Sequence, residues 1–142
     1  MLHLIKLCVG VDSIADLEGW IAFRLEEKRQ RGLPCEQLHT TRMTPRRIAD
    51  LLDGGSLYWV IKGAIQCRQL LLDIRPFVDD EGIARCHLVL EPVVVPVIPR
   101  PRGPFQGWRY LDLKDAPSDL KGQDGGGLPH ELQQELASLG LL

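Results

Sequence analysis

The stretch from 56 to 91 constrains the fold more than any other part of the chain. Ser56-Leu57-Tyr58-Trp59-Val60-Ile61-Lys62 is rich in β-branched and aromatic side chains, which suit a pleated, half-buried surface. Gly63 interrupts this run, and residues 64–78 supply a second extended one. Asp79-Asp80-Glu81-Gly82 reads as a hairpin turn, with Gly82 placed for a positive φ. On the return, residues 83–91 alternate: Ala84, Cys86, Leu88 and Leu90 fall on one face, and Arg85, His87 and Glu91 on the other. A chain with this centre builds an antiparallel sheet and must cover one of its faces.

The flanking segments supply the cover. Residues 2–9 read as a first strand. Asp12 or Ser13 can cap a helix from about Ile14 to Arg31, with Leu17, Trp20, Ile21 and Leu25 as its apolar stripe. Gly32-Leu33-Pro34 stops it. Residues 35–43 hold a short extended piece. Thr44-Pro45 then predicts the start of a second helix, with Thr at the cap and Pro where a missing N–H costs nothing. That helix carries Ile48, Leu51 and Leu52 inward and ends at Gly54-Gly55.

Residues 92–98 continue extended, but Pro92 and Pro96 lack ladder donors and mark an edge or a bulge. Pro99-Arg100-Pro101-Arg102-Gly103-Pro104 is a stiff, basic loop, and residues 107–111 read as a short returning strand or an anchoring segment. Residues 115–127 read as a flexible loop, and Pro129 to Leu139 as a short closing helix. At 142 residues the expectation is a single domain over 1–142 with a core of its own. The expected fold is α+β: a largely antiparallel, strongly curved, barrel-like sheet, two main helices packed on it, and the short C-terminal helix.

Charge and cysteine usage narrow the setting. The net charge of −2 gives no global pull toward nucleic acid or membrane, so any basic footprint is local. No segment reaches the ~18 consecutive apolar residues of a membrane span, and the N-terminal run lacks the basic start of an export signal. Cys8, Cys35, Cys67 and Cys86 are scattered with no CxxC, which points to reduced thiols and a cytoplasmic protein.

Two constellations carry candidate binding chemistry. The first is Thr40, Thr41, Arg42, Thr44, Arg46 and Arg47 at the expected start of the second helix. Arginines at the positive end of a helix are unfavourable unless an anion offsets them, and a guanidinium grips phosphate with two bonds. The alternative is that the arginines pair with surface carboxylates or face water. The second set joins aromatics and cations: Tyr58, Trp59, Lys62, Arg68 and Arg75, then Arg100, Arg102, Trp108, Arg109 and Tyr110. Aromatic rings can stack bases while cations hold phosphates. Strand alternation places Tyr58 and Lys62 on one face and Trp59 on the other with Leu57 and Ile61, as core. Tyr58, Lys62 and Arg68 can share a surface with the basic loop, an arrangement that alternation alone does not fix, and Trp108 reads as a packing anchor.

Other chemistries find little support. Cys35 with His39, and Cys86 with His87, lack the spacing of a zinc knuckle, so no metal is expected. No serine sits in a Gly-x-Ser-x-Gly elbow, and Gly125-Gly126-Gly127 lacks the Lys-Ser/Thr of a phosphate loop, so no cofactor is expected.

Several stretches together carry a family resemblance: residues 2–10, His39-Thr40-Thr41-Arg42-Met43, residues 54–63, Asp73-Ile74-Arg75-Pro76-Phe77 and residues 105–111. With these the chain resembles an uncharacterised alphaproteobacterial family, domain of unknown function 1489. The resemblance implies a bacterial, cytoplasmic setting and adds no catalytic residues. A helix ending in Gly-Gly, a strand with Lys62-Gly63 and a long hairpin are also similar to PUA and ASCH modules, small β-barrels that bind RNA or modified nucleotides. The expected function is a non-enzymatic module for RNA or a nucleotide-like anion, its site at Thr41, Arg42, Thr44, Arg46, Arg47, Tyr58, Lys62 and Arg68. A small enzyme and a protein-interaction module are the alternatives.

Overall fold

The structure, a computed structural model, describes residues 1–120. In chain order the elements are β1 (Leu2–Leu7), α1 (Ile14–Gln30), β2 (Gln37–Thr41), α2 (Ile48–Leu52), β3 (Ser56–Ile61), β4 (Ala64–Val78), β5 (Ala84–Leu90), β6 (Val95–Pro101) and β7 (Trp108–Asp112). The strands form one seven-stranded sheet in the order β2-β5-β4-β3-β1-β7, with β6 paired to β4 beside this path. Only the β1–β3 pairing is parallel, so the sheet is the largely antiparallel one expected of an α+β chain.

The long strand β4 organises the sheet. It pairs with β3 and β6 over its first half and with β5 over its second, and each of the three ladders contains a register shift. Such bulges bend a strand and increase its twist. The β3–β4 hairpin turns on Lys62 (φ 48°) and Gly63 (φ 77°), the two positive φ angles that match a tight loop to the twist of its strands. At the other end of β4, Asp79 accepts bonds from the N–H groups of Glu81 and Ile83, which sets the turn into β5.

Despite this curvature the sheet stays open, which corrects the barrel expectation. Closure would require a ladder between its two ends, β2 and β7. The connector 42–47 lies against β7 instead, where Trp108 Nε1 donates to the carbonyl of Met43 at 2.9 Å.

Side-chain alternation divides the core in two. On the face covered by α1 and α2 lie Leu4, Leu17, Ile21, Leu57, Trp59 and Leu88. On the opposite face Ile5, Tyr58, Val60, Ile65, Val97 and Leu111 make a smaller cluster. Trp59 is core, as its neighbours on the strand predict.

The helices depart from expectation. α1 starts as read, with Ser13 Oγ accepting the Asp16 N–H and Asp16 accepting the Asp12 N–H. Its inward face is Ile14, Leu17 and Ile21, however, and Trp20 is 50% exposed. There Trp20 packs edge-on against Phe23 at 6.1 Å and beneath the Arg24 guanidinium. α2 is a single turn that begins at Ile48, not a second main helix starting at Thr44-Pro45. Pro45 is drawn fully into the core, and the chain before it bends instead of starting a helix. The expected loop 115–127, beyond its first residues, and the closing helix lie outside the described residues.

A candidate anion-binding seam on the edge strand

The connector 42–47 meets β7 along a seam. Tyr110 Oη accepts the backbone N–H groups of Arg46, at 3.0 Å, and Arg47, at 3.3 Å. These are the donors that the sequence reading left free for an anion, and a phenol takes them instead. The same bonds bring the first constellation to the end of the second. Arg42, Arg46 and Arg47 are exposed beside Trp108 and Tyr110, whose rings meet edge-to-face at 5.0 Å. Arg47 is committed to Asp50 at 3.0 Å, whereas Arg42 and Arg46 make no ion pair among the described residues.

Of the threonines of this set, Thr41 and Thr44 turn inward, and Thr40 stays exposed on β2. Thr41 is buried and donates from Oγ1 to the carbonyl of Met43. Thr41 and Thr44 are in hydrogen-bond contact with the Cys86 thiol, and Thr40 Oγ1 lies 3.1 Å from His87 Nδ1. They shape the connector and do not face a ligand on the seam.

On its other face β7 carries more positive charge. The Arg102 and Arg109 guanidiniums lie 4.9 and 5.7 Å from the Phe105 ring centroid, within the range of cation–π attraction. Arg100 donates to the carbonyl of Asp115. As the last strand of the sheet, β7 is thus an edge with cations and aromatic rings on both sides.

Tyr58, Lys62 and Arg68 do not join the seam. Tyr58 is buried in the smaller core cluster, and β3 ends at Ile61, so Lys62 is an exposed turn residue that shares no strand face with it. Arg68 makes a two-pronged pair with Asp119, at 2.8 and 2.7 Å, and also donates to Ser56 Oγ at 3.0 Å. Tyr58 and Arg68 line a separate concavity of about 870 Å³ with His3, Glu91 and Asp119.

In this concavity His3 Nδ1 accepts the Ser56 backbone N–H at 3.0 Å, which leaves the proton on its buried Nε2. Burial, Arg68 and the N-terminal amine hold the imidazole below its ordinary value. The Ser56 hydroxyl is taken by Arg68, so histidine and serine are not arranged as base and nucleophile. His3 and Asp119 escaped the sequence reading because each finds its partner across the fold.

Among the described residues no group of three His, Cys, Asp or Glu side chains is placed to hold a metal, and Cys8, Cys35, Cys67 and Cys86 are all free. No helix among them is long and apolar enough to cross a membrane. No curated protein and no solved structure matches the chain. One family model matches residues 4–142, which take in β3, β7 and β1 from Leu4 onward, and the chain belongs to the family described as "Protein of unknown function (DUF1489)".

Proposed function

We propose that this domain is a non-enzymatic binding module for RNA, engaged along the seam of the connector 42–47 and β7. The observation that carries the reading is the Tyr110 hydroxyl bonded to the backbone of Arg46 and Arg47. It holds the backbone of the arginine-bearing connector against the strand that carries Trp108 and Tyr110, and cations near rings are the pairing that single strands use: cations on phosphates, rings on bases. Arg42 and Arg46, which make no ion pair among the described residues, and Arg102 and Arg109 around Phe105 give the edge a local positive character that the net charge conceals.

Fluorescence anisotropy with a short single-stranded RNA tests it. Wild-type protein binds, and the Arg42→Ala, Arg46→Ala double variant binds at least about tenfold more weakly, as expected for two lost charge-assisted contacts. Equal binding by both proteins would remove the seam from the account.

A further inference from the structure

We propose that the cleft between α1 and the adjoining ends of β1, β2 and β3 binds a small organic anion, one carboxylate or phosphate head on a flat apolar body. The cleft has a volume of about 500 Å³, in the range of small-molecule sites. Three basic side chains reach it from three elements: Lys6 from β1, Arg24 from α1 and His39 from β2. Among the described residues no aspartate or glutamate contributes to its lining.

Lys6 is half-buried and makes no ion pair among the described residues. Burial holds its ammonium below the ordinary lysine value. Arg24 also lacks a carboxylate partner there, and its guanidinium sits 5.4 Å from the centroid of the Trp20 ring. The Lys6 charge is partly withdrawn from water with no carboxylate beside it among the described residues, which is unfavourable, and an anion held between it and the exposed Arg24 would offset that cost.

The rest of the cleft suits an apolar body. Trp59 forms its floor, and Trp20, Leu17 and Ile21 rise along the α1 side. His39 stands edge-on to Trp59 at 5.0 Å, its Nε2 buried with no hydrogen-bond partner among the described residues. Cys8 also borders the cleft, but burial pushes its thiol up to about 11, so near neutral pH it is no thiolate nucleophile. None of Arg42, Arg46, Trp108 or Tyr110 lines the cleft, although Lys6 and Trp108 are partners across the β1–β7 ladder.

The test is a series of amide correlation spectra of the full chain titrated with benzoate, phenylphosphate, benzyl alcohol or inorganic phosphate. At least one aryl anion should shift the resonances around Lys6, Arg24 and His39 saturably, and the preferred head group identifies itself. Benzyl alcohol and inorganic phosphate should bind about tenfold more weakly, each lacking one half of the ligand. Lys6→Gln and Arg24→Gln should each weaken the aryl anion about tenfold, and Arg42→Ala with Arg46→Ala should leave it unchanged. The wild-type spectra decide the matter even where a variant fails to fold. Absence of saturable shifts at the cleft with both aryl anions up to about 10 mM, or equal binding of benzyl alcohol, would overturn the proposal.

Discussion

Tyr110 Oη accepts the backbone N–H of Arg46 at 3.0 Å, although 64 residues separate the two in sequence. The bond ties the connector that leaves one end of the sheet to the strand at the other end. It also places the ring of Tyr110 beside the arginines that follow β2. Tyr110→Phe removes the acceptor of two N–H groups at a partly exposed site where water can replace it. The expected loss is about 1 kcal/mol in urea unfolding, with a weaker RNA complex because the connector is no longer held against β7.

The Arg68–Asp119 pair gives a second prediction. Its side chains are 23% and 37% exposed, and two bonds join them. Arg68→Met should lower stability by about 1–2 kcal/mol, more than an open surface pair contributes and less than a fully buried one. RNA affinity should stay unchanged, since Arg68 lies away from the seam. Parallel denaturation and anisotropy measurements on this variant separate the two effects.

His39 makes stability depend on pH. Burial is the largest cause that holds its imidazole down to about 4 from an ordinary 6.5, and the charges of Lys6 on β1 and Arg24 on α1 add to it. Below 6.5 the unfolded chain therefore binds a proton at His39 that the folded chain refuses until about pH 4. Stability should be complete above pH 6.5 and fall as the pH drops toward 4, by on the order of 3 kcal/mol from this group. His39→Gln should flatten that slope in denaturation curves taken across the window. A residual slope should remain from His3 and His87, which burial shifts in the same direction.

Two glycines respond oppositely to alanine. A Cβ at Gly55 would fall 2.3 Å from the carbonyl oxygens of both Leu2 and Leu51, so backbone must move. Gly55→Ala should cost about 3 kcal/mol or prevent folding. At Gly19, within α1, a Cβ meets nothing within 4 Å. Gly19→Ala should raise stability by about 0.5–1 kcal/mol through helix propensity and the stiffer unfolded chain. Thermal unfolding of the two variants checks both signs.

What could be read from the sequence was local. Asp79 and Gly82 announce their turn because the bonds and the φ angle that make it lie within four residues. The alternation of Cys86, Leu88 and Leu90 reports a buried face because the strand repeats every two residues. Thr44-Pro45 misled for the same reason. It is a sound helix start by local rules, but the core takes Pro45 and Tyr110 takes the N–H groups that follow. Trp20 has helical spacing with Leu17 and Ile21, yet only the packed structure shows that the inward face closes without it. Arg68 and Asp119 are 51 residues apart, and Lys6, Arg24 and His39 come from three elements, so no spacing rule finds either group.

The central claim is that the seam holds phosphates, and the salt dependence of RNA affinity tests it most directly. For single strands each neutralised phosphate contributes about −0.7 to the slope of log affinity against log salt concentration. If Arg42 and Arg46 each hold one phosphate, the double alanine variant should show a slope shallower by about 1.4 than wild type. A wild-type affinity that does not change with salt, or identical slopes for the two proteins, would contradict the account.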